Sequence, residues 1–444
     1  MSISTIILAA GKGTRMKSDL PKVMHKIAGR EMVNLVIDEV KNLNPLNVSV
    51  VVSDEMGEHQ EKLKKDHPNL NINFAIQRER NGTGHAVNSG VEQISDLGKK
   101  VIILYGDTPL TSQKTISEML KSLDEYDLCV LGFEETAENK YGRLVVDENE
   151  NLKKIVEFKD ANEDEKTITL CNSGVMAIKG DKIKELLNAI DNKNAAGEYY
   201  LTDVVEICEK KNYKKTYFIT DKQEVLGVNS KTELANLERI TQDSLRKQHM
   251  DNGVTLIDPT STYFAFDTKI GKNSIIYPNV FFGASVVIGE NTEIKSFSHI
   301  EEATISNGCI IGPFARIRPG SNLANNVKIG NFVEVKKSNL AKGSKIPHLS
   351  YIGDSEIGEN SNIGAGTITC NYDGYNKHKT IIGDNVFIGS NSALVAPVKI
   401  GNGSVIGAGS VITKEVKEND LAVSRSKQIN IENGGKNFHT EKSK

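Results

Sequence analysis

Two parts of the chain hold residues whose types and spacing could do phosphate, metal or proton chemistry. In the first, Ala10-Gly11-Lys12-Gly13-Thr14-Arg15 leaves the apolar run at residues 5–9. Glycines at a strand-to-loop turn let backbone N–H groups approach a phosphate, and Arg15 adds a delocalised charge. The third glycine of a dinucleotide fingerprint and the GxxxxGK of a P-loop are both missing. Lys22, seven residues after Arg15, is within chain reach of the same anion. Tyr105-Gly106-Asp107 closes another apolar run, and ligands of open α/β sheets bind at the carboxyl ends of strands, so Asp107 is a candidate metal ligand. Gln77 with Gly82-Thr83-Gly84-His85 makes a polar glycine turn able to frame a planar base. In the second part, His348 has the one side chain whose ordinary titration lies near neutrality. Arg318, Lys336 and Asn371-Tyr372 accompany it at positions that core packing does not dictate. Taken singly, each feature keeps a plainer reading. The glycines suit a tight turn, Lys22 a solvated surface, Asp107 a helix cap towards Thr111 and Ser112, residues 77–85 a surface loop, and His348 a structural role.

The elements that must position these residues differ between the halves. Short apolar or β-branched runs at 5–9, 48–52, 101–105, 128–131 and 225–228 alternate with helical patterns such as 32–41 and 112–123. That alternation predicts a Rossmann-like α/β domain with a mostly parallel sheet in three layers. Residues 253–444 hold 22 of the 37 glycines, although residues 1–252 form the longer part. There Ile270, Ile276, Phe282, Ile288, Ile294 and Ile300 fall six apart; Ile305 to Val335 and Ile382 to Ile412 resume the step. A six-residue period fits short strands joined by turns, and three such sides make a triangular coil of 18 residues. Five-residue steps, as from Ile300 to Ile305, and the gap between Ile363 and Ile382 mark slips or loops leaving the coil. Between the halves, Ser230-Lys231-Thr232-Glu233 reads as a capping box opening a helix that ends near Gly253. The expected organisation is therefore residues 1–231, a helical linker at 232–252, and a repeat domain at 253–444.

Composition excludes several classes of function. Lys plus Arg is 55 and Asp plus Glu 58, a net charge of −3, which argues against a general nucleic-acid binder. No stretch approaches the ~18 apolar residues of a membrane span. The first ten residues lack the basic start of a secretory signal, and five scattered cysteines without a CxxC pair suggest free thiols in a reducing cytoplasm.

The run Leu8-Ala9-Ala10-Gly11-Lys12-Gly13-Thr14-Arg15-Met16 with Pro21-Lys22 closely resembles the signature of sugar-phosphate nucleotidyltransferases. Together with the hexapeptide half, nearly all 444 residues resemble the bifunctional bacterial N-acetylglucosamine-1-phosphate uridyltransferase/glucosamine-1-phosphate N-acetyltransferase family, with the motifs in the same order. The resemblance implies that residues 1–231 are a uridylyltransferase and residues 253–444 an acetyltransferase on a left-handed parallel β-helix. It puts Leu8, Ala9, Ala10 and Gly11 at the nucleotide-holding turn, with Arg15 and Lys22 catalytic at the triphosphate of UTP. Gln77, Gly82 and Thr83 match the uracil contacts, Tyr105, Gly106 and Asp107 the strand-end contacts, and Gly142, Glu157 and Asn172 the sugar contacts. Asp107 and Asn229 match two protein ligands of Mg²⁺. Arg80 stands where many relatives are expected to carry Gln. In the second half the resemblance makes His348 the catalytic base and puts Arg318, Lys336, Tyr351 and Asn362 on the sugar phosphate. Ala365, Asn371, Tyr372, Ser390, Ala408 and Arg425 match acetyl-CoA positions or their neighbours.

The implied reactions are acetylation of glucosamine 1-phosphate by acetyl-CoA, then joining of N-acetylglucosamine 1-phosphate to UTP with release of pyrophosphate. The product, UDP-N-acetylglucosamine, serves cell-envelope polysaccharides, and the family implies a parallel homotrimer in the cytoplasm. Direct acyl transfer leaves Cys370 a bystander thiol. The competing reading is a regulatory or scaffold protein, because subunits of a eukaryotic translation-initiation exchange factor join similar domains without this catalysis. Such a protein has no need to keep Arg15, Lys22, Asp107, Asn229, Lys336 and His348 together. The lysine-rich tail at residues 436–444 is expected to be disordered or to reach a neighbouring subunit.

Overall fold

The protein is described by a computed structural model covering residues 2–441; residues 442–444 of the lysine-rich tail lie outside the described residues. Two compact units, Met1–Thr241 and Gln242–Lys444, divide the chain.

In the first unit, a nine-stranded sheet has in its interior, beside the middle strand, the wholly buried strand Ile3–Leu8. A strand covered on both faces reads as an unbroken apolar run, which is why this one was legible. Ile6 and Leu8 join one apolar layer and Ile7 and Ala9 the other, as the two-residue period of a strand demands. Asn47–Val52 and then Ile72–Ile76 lie in parallel on one side, and Lys100–Tyr105 lies in parallel on the other. Leu170–Lys179 runs antiparallel beside Lys100–Tyr105, followed by Leu128–Glu134 and Lys215–Thr220. The chain thus leaves Ile3–Leu8 towards one edge and returns on its opposite side. That switch point opens a crevice at the carboxyl ends of Ile3–Leu8 and Lys100–Tyr105.

One expected strand is absent. Residues 225–228 are not in the sheet: Lys222–Val225 is a single 3₁₀ turn whose Val225 plugs an apolar layer. The edge strand is Lys215–Thr220, whose lysine and threonine ends and half-buried alternation hid it from a search for apolar runs.

The interdomain helix spans Lys231–Asp251. Glu233 N–H donates to Ser230 Oγ at 3.2 Å, one half of the expected capping box. The other half is displaced by one residue, because the Glu233 carboxylate accepts from the backbone N–H of Asn229 at 2.6 Å. The helix belongs to both units: Glu238 accepts from Ala28 N–H at 2.7 Å in the first, while Gln242 exchanges two hydrogen bonds with the Phe264 backbone in the second.

The second unit is a β-helix of three parallel sheets with ten, eight and eight short strands. Ile270 pairs with Ile288, a coil of 18 residues, and Ile288 with Ile305, a coil shortened to 17 by the five-residue step. The hexad residues from Ile276 to Ile412 are buried, and Ile270 in the first coil is half-buried. Two residues before each hexad position lies a second buried site, filled by small side chains such as Ser274, Thr292 and Cys309. All five cysteines are free thiols. Between Ile368–Cys370 and Thr380–Ile382 the chain leaves the coil as a loop, as the long gap in the repeat required.

Candidate functional sites

The crevice in the first unit is a cleft of about 350 Å³. Leu8, Ala9, Ala10 and Gly11 form one wall, Gln77, Gly82 and Thr83 another, and Lys22, Tyr105 and Asp107 complete it. Gly106 N–H donates to Leu8 O at 2.9 Å, tying the ends of the two central strands together. Lys22 Nζ makes a very short ion pair with Asp107 and a 3.1 Å hydrogen bond to Asn229 Oδ1. A carboxylate and an amide oxygen, 122 residues apart in sequence, therefore converge on one cation. Two hard oxygen donors beside a cleft of small-ligand size fit Mg²⁺, which keeps several waters and takes few protein ligands. Arg15 does not line the cleft; it stands exposed on the 3₁₀ turn Thr14–Met16.

The base-framing turn is held from outside. Gln77 is buried and its amide donates to Gly82 O at 3.3 Å. Tyr199 N–H donates to Asn81 O at 2.7 Å, and its own carbonyl accepts from Gly84 N–H at 2.8 Å. Gly82 has φ +107°, and a Cβ there would lie 2.5 Å from Tyr199 O. For the UTP reaction that the resemblance implies, Gly82→Ala should therefore shift the turn and raise the KM for UTP by roughly tenfold, the effect of ~1.4 kcal/mol, with the implied acetyl transfer unchanged. Initial rates over a UTP series test this, and an unaltered KM would remove the turn from the site.

Gly142, Glu157 and Asn172 gather beside the cleft. Asn172 N–H donates to Gly142 O at 2.8 Å, and a Cβ on Gly142 would lie 3.4 Å from the Glu157 carboxylate. The Asn172 side chain accepts from Gly174 N–H at 3.0 Å, and Gly174 in turn lies against the Tyr105 ring. Burial pushes the Glu157 carboxyl up, against the opposing hydrogen bond from Thr202. Burial, then Glu157 and Asp107, raise the Tyr105 phenol well above its ordinary range. Burial and the neighbouring Glu206 and Asp191 push Asp203 up to about 6. These groups offer hydrogen-bond acceptors suited to sugar hydroxyls.

In the second unit, His348 ends the strand Lys345–His348 and stands exposed, its Nδ1 2.6 Å from Asn331 Oδ1. Arg318 donates to Glu334 Oε1 at 2.7 Å. Lys336 and Lys337 flank Asp354 at 4.0 and 3.9 Å, and Asp354 accepts from the Asn371 amide at 2.5 Å. A Cβ on Gly353 would collide with the Tyr351 hydroxyl and the Asn371 amide, so these two groups close over that glycine. The Lys377 ammonium, helped by burial, pushes Lys336 down, against the pull of Asp354. Lys377 comes from the loop after Tyr372 and forms with Arg318 and Lys336 a group of cations fit for an anion.

Register relates the remaining positions. Lys345 pairs with Asn362, Asn362 with Phe387, and Phe387 with Val405. Three residues after each of these register partners, His348 at its strand end and Ala365, Ser390 and Ala408 in the turns that follow the short strands fall at equivalent positions of successive coils. Backbone bonds from Asn391 to Ala365 and from Gly409 to Ser390 run along this column, and Arg425 donates to Ala408 O.

Known proteins share both halves. Residues 5–198 match the MobA-like NTP transferase domain, and residues 267–302 and 379–414 match the bacterial transferase hexapeptide. Residues 299–395 also match the GMPPB C-terminal domain. The bifunctional protein GlmU of Paramagnetospirillum magneticum is 48% identical over 442 residues, covering 99% of this chain and 97% of that protein. This chain belongs to the GlmU family. The GlmU of Zymomonas mobilis is 46% identical over 444 residues, covering 99% and 98%, and that of Cellvibrio japonicus 44% over 451, covering 97% and 98%.

Within this GlmU-family chain, sequence reasoning missed part of the cleft wall: Val23, Val51, Ala86 and Glu198 line it, as does Arg80. Glu198 had a signal, since Gly197-Glu198-Tyr199-Tyr200 sets it between a glycine and paired tyrosines. Nothing in sequence joined that segment to residues 81–84, 115 residues away; the hydrogen bonds from Tyr199 do. Lys377 was missed because its loop has no repeat to place it.

Proposed function

We propose that the chain acetylates glucosamine 1-phosphate with acetyl-CoA and then transfers UMP from UTP to the N-acetylglucosamine 1-phosphate formed. The observation that carries this reading is the convergence of Asp107 and Asn229 on the Lys22 ammonium, at the switch-point cleft of a GlmU-family chain. Asp107 and Asn229 would hold Mg²⁺, which supplies charge neutralisation on phosphate oxygens. Lys22 meets the same phosphates, and Gly11, with the turn beside it, lets the backbone approach them. Gln77, Gly82 and Thr83 frame the uracil, and Gly142, Glu157 and Asn172 the sugar. With both reactants anionic, positioning and charge stabilisation carry the step, and no side chain is needed as nucleophile.

For acetyl transfer, Arg318 and Lys336 receive the sugar phosphate, with Tyr351 and Asn362 beside them. The column from His348 through Ala365 and Ser390 to Ala408 extends about 14 Å at the ~4.8 Å spacing of parallel strands, which suits an extended thioester arm. Asn371, Tyr372 and Arg425 complete its binding. The sugar amine attacks the thioester carbonyl while His348 accepts the proton lost from nitrogen. As the carbon–sulfur bond breaks, the imidazolium returns that proton to the departing thiolate, giving free coenzyme A.

An exposed aromatic ladder supports self-association, and a homotrimer is the assembly we infer. Phe297, Phe314 and Phe332 stack at 4.9 and 5.0 Å on one corner of the β-helix, each about half exposed and at positive φ. Bulky residues seldom occupy that backbone region, so a ladder of them needs a reason beyond the turn. Among the described residues no helix is long and apolar enough to cross a membrane, and the free thiols suit a cytoplasmic setting.

The decisive assay supplies glucosamine 1-phosphate, acetyl-CoA, UTP and Mg²⁺ and resolves products over time. UDP-N-acetylglucosamine should form after a lag occupied by N-acetylglucosamine 1-phosphate. With EDTA in place of Mg²⁺, the reaction should stop at that intermediate. If neither product forms with Mg²⁺ present, the reading is wrong.

A further inference from the structure

We propose that Asn331 is a positioning residue for acetyl transfer. Its side-chain carbonyl holds the His348 imidazole with the proton on Nδ1 and leaves the Nε2 lone pair free to take the amine proton. The proposal rests on the reading of His348 as base and adds what orients it.

The contact is built into the coil. Asn331 and His348 are direct register partners on the parallel strands Lys328–Asn331 and Lys345–His348. Leu349 N–H donates to Asn331 O at 3.0 Å, and Ser350 Oγ donates to His348 O at 2.8 Å, so both backbones are fixed beside the pair. Ile329 and Ile346, two residues earlier, are buried in the core and anchor the same strands. Between them, a Cβ on Gly330 would lie 1.7 Å from Pro347 O, so glycine is what lets the two chains close up just before Asn331 and His348. The 2.6 Å separation of Nδ1 and Oδ1 follows.

The chemistry then follows from which amide atom faces the ring, and here it is the oxygen. A neutral imidazole carries one N–H and one lone pair, and a carbonyl oxygen can only accept. With Oδ1 facing Nδ1, the proton sits on Nδ1 and the base is Nε2. Were the amide turned about, its NH₂ would claim the Nδ1 lone pair and leave Nε2 protonated, unable to act. Of the strands flanking Lys345–His348, Lys328–Asn331 carries Lys328 and Asn362–Ile363 carries no charge. Lys345 on the same strand lies opposite Lys328, three residues away. A neutral partner orients the ring without the charge that would favour the imidazolium, and so suits a base working near neutral pH.

Three variants of the full chain test this. Asn331→Leu keeps size but loses the acceptor; its acetyl-transfer kcat should fall about tenfold, within the ~10²-fold worth of a general base. The KM values for glucosamine 1-phosphate and acetyl-CoA, and uridylyl transfer, should be nearly unchanged. Asn331→Asp restores an acceptor and adds charge, so most of the rate should return while the acid limb of the pH–rate profile moves upward. In a His348→Ala background, Asn331→Leu should cost nothing further, because its effect passes through a ring no longer there. An unchanged kcat in Asn331→Leu, a faster one as the reversed amide requires, or a loss that persists in the His348→Ala background overturns the proposal. If His348→Ala alone keeps full acetyl transfer, the base reading fails first and takes this one with it.

Discussion

Asp107→Ala should lose uridylyl transfer by ~10³-fold or more while acetyl transfer continues near its normal rate. The cause is local. Asp107 stands two residues beyond the strand Lys100–Tyr105, shares Lys22 with Asn229, and lines the cleft where the triphosphate would lie. A divalent cation on phosphate oxygens is worth several kcal/mol, and each ~1.4 kcal/mol is a factor of ten in rate. Lys22 would keep its bond to Asn229 but lose the carboxylate, so its orientation towards phosphate would suffer as well. Asp107→Asn separates the two effects, since it keeps shape and an oxygen while removing charge. Calorimetric titration of Mg²⁺ into each variant with UTP present measures the ligand role apart from turnover. Near-normal UTP turnover in Asp107→Ala would show that the carboxylate is no ligand. Loss of both activities would point instead to damage of the fold.

How much of this was readable in the sequence depends on how far apart the partners lie. The hexad repeat was legible because each coil repeats one buried side chain on one side, and the side chains from Ile276 to Ile412 are where the period puts them. The second buried position of each hexad escaped notice: serine, threonine and cysteine there look polar, yet Ser274, Thr292 and Cys309 are buried. The strand Lys215–Thr220 was lost for a related reason, since an edge strand needs no continuous apolar run. Asp107 could be proposed from its strand end alone. Its convergence with Asn229 could not, because that depends on Glu233 pinning the Asn229 backbone at the start of the helix. Arg15 is the converse case, a motif position whose side chain stands exposed outside the cleft lining. Asn331 was within reach of arithmetic: it precedes His348 by 17 residues, the length of a shortened coil. The helix Lys231–Asp251 also changes where the chain can be cut. Leu237 is buried and Glu238 holds Ala28, so a uridylyltransferase fragment should end at residue 241 rather than 231.

His348→Ala should reduce acetyl transfer by at least the ~10²-fold that general-base catalysis contributes. His348 is exposed and lies two residues past the buried Ile346, so its imidazole fills no part of the core. The coil around it is closed by backbone bonds, among them Leu349 N–H to Asn331 O, that alanine leaves in place. Removing the ring should therefore cost little stability, and the variant should sediment with the wild type. Uridylyl transfer from UTP to supplied N-acetylglucosamine 1-phosphate should be nearly unchanged, because none of the cleft residues lies in the second unit. The combined reaction should then stall at glucosamine 1-phosphate and resume when the acetylated sugar phosphate is added. Both half-reactions and a sedimentation run, on the same preparation, decide among the outcomes. Acetylation at the normal rate would return His348 to a structural or solvated role. Loss of both activities with an altered mass would mean that the residue holds the β-helix together, and the independence of the two reactions would have to be given up.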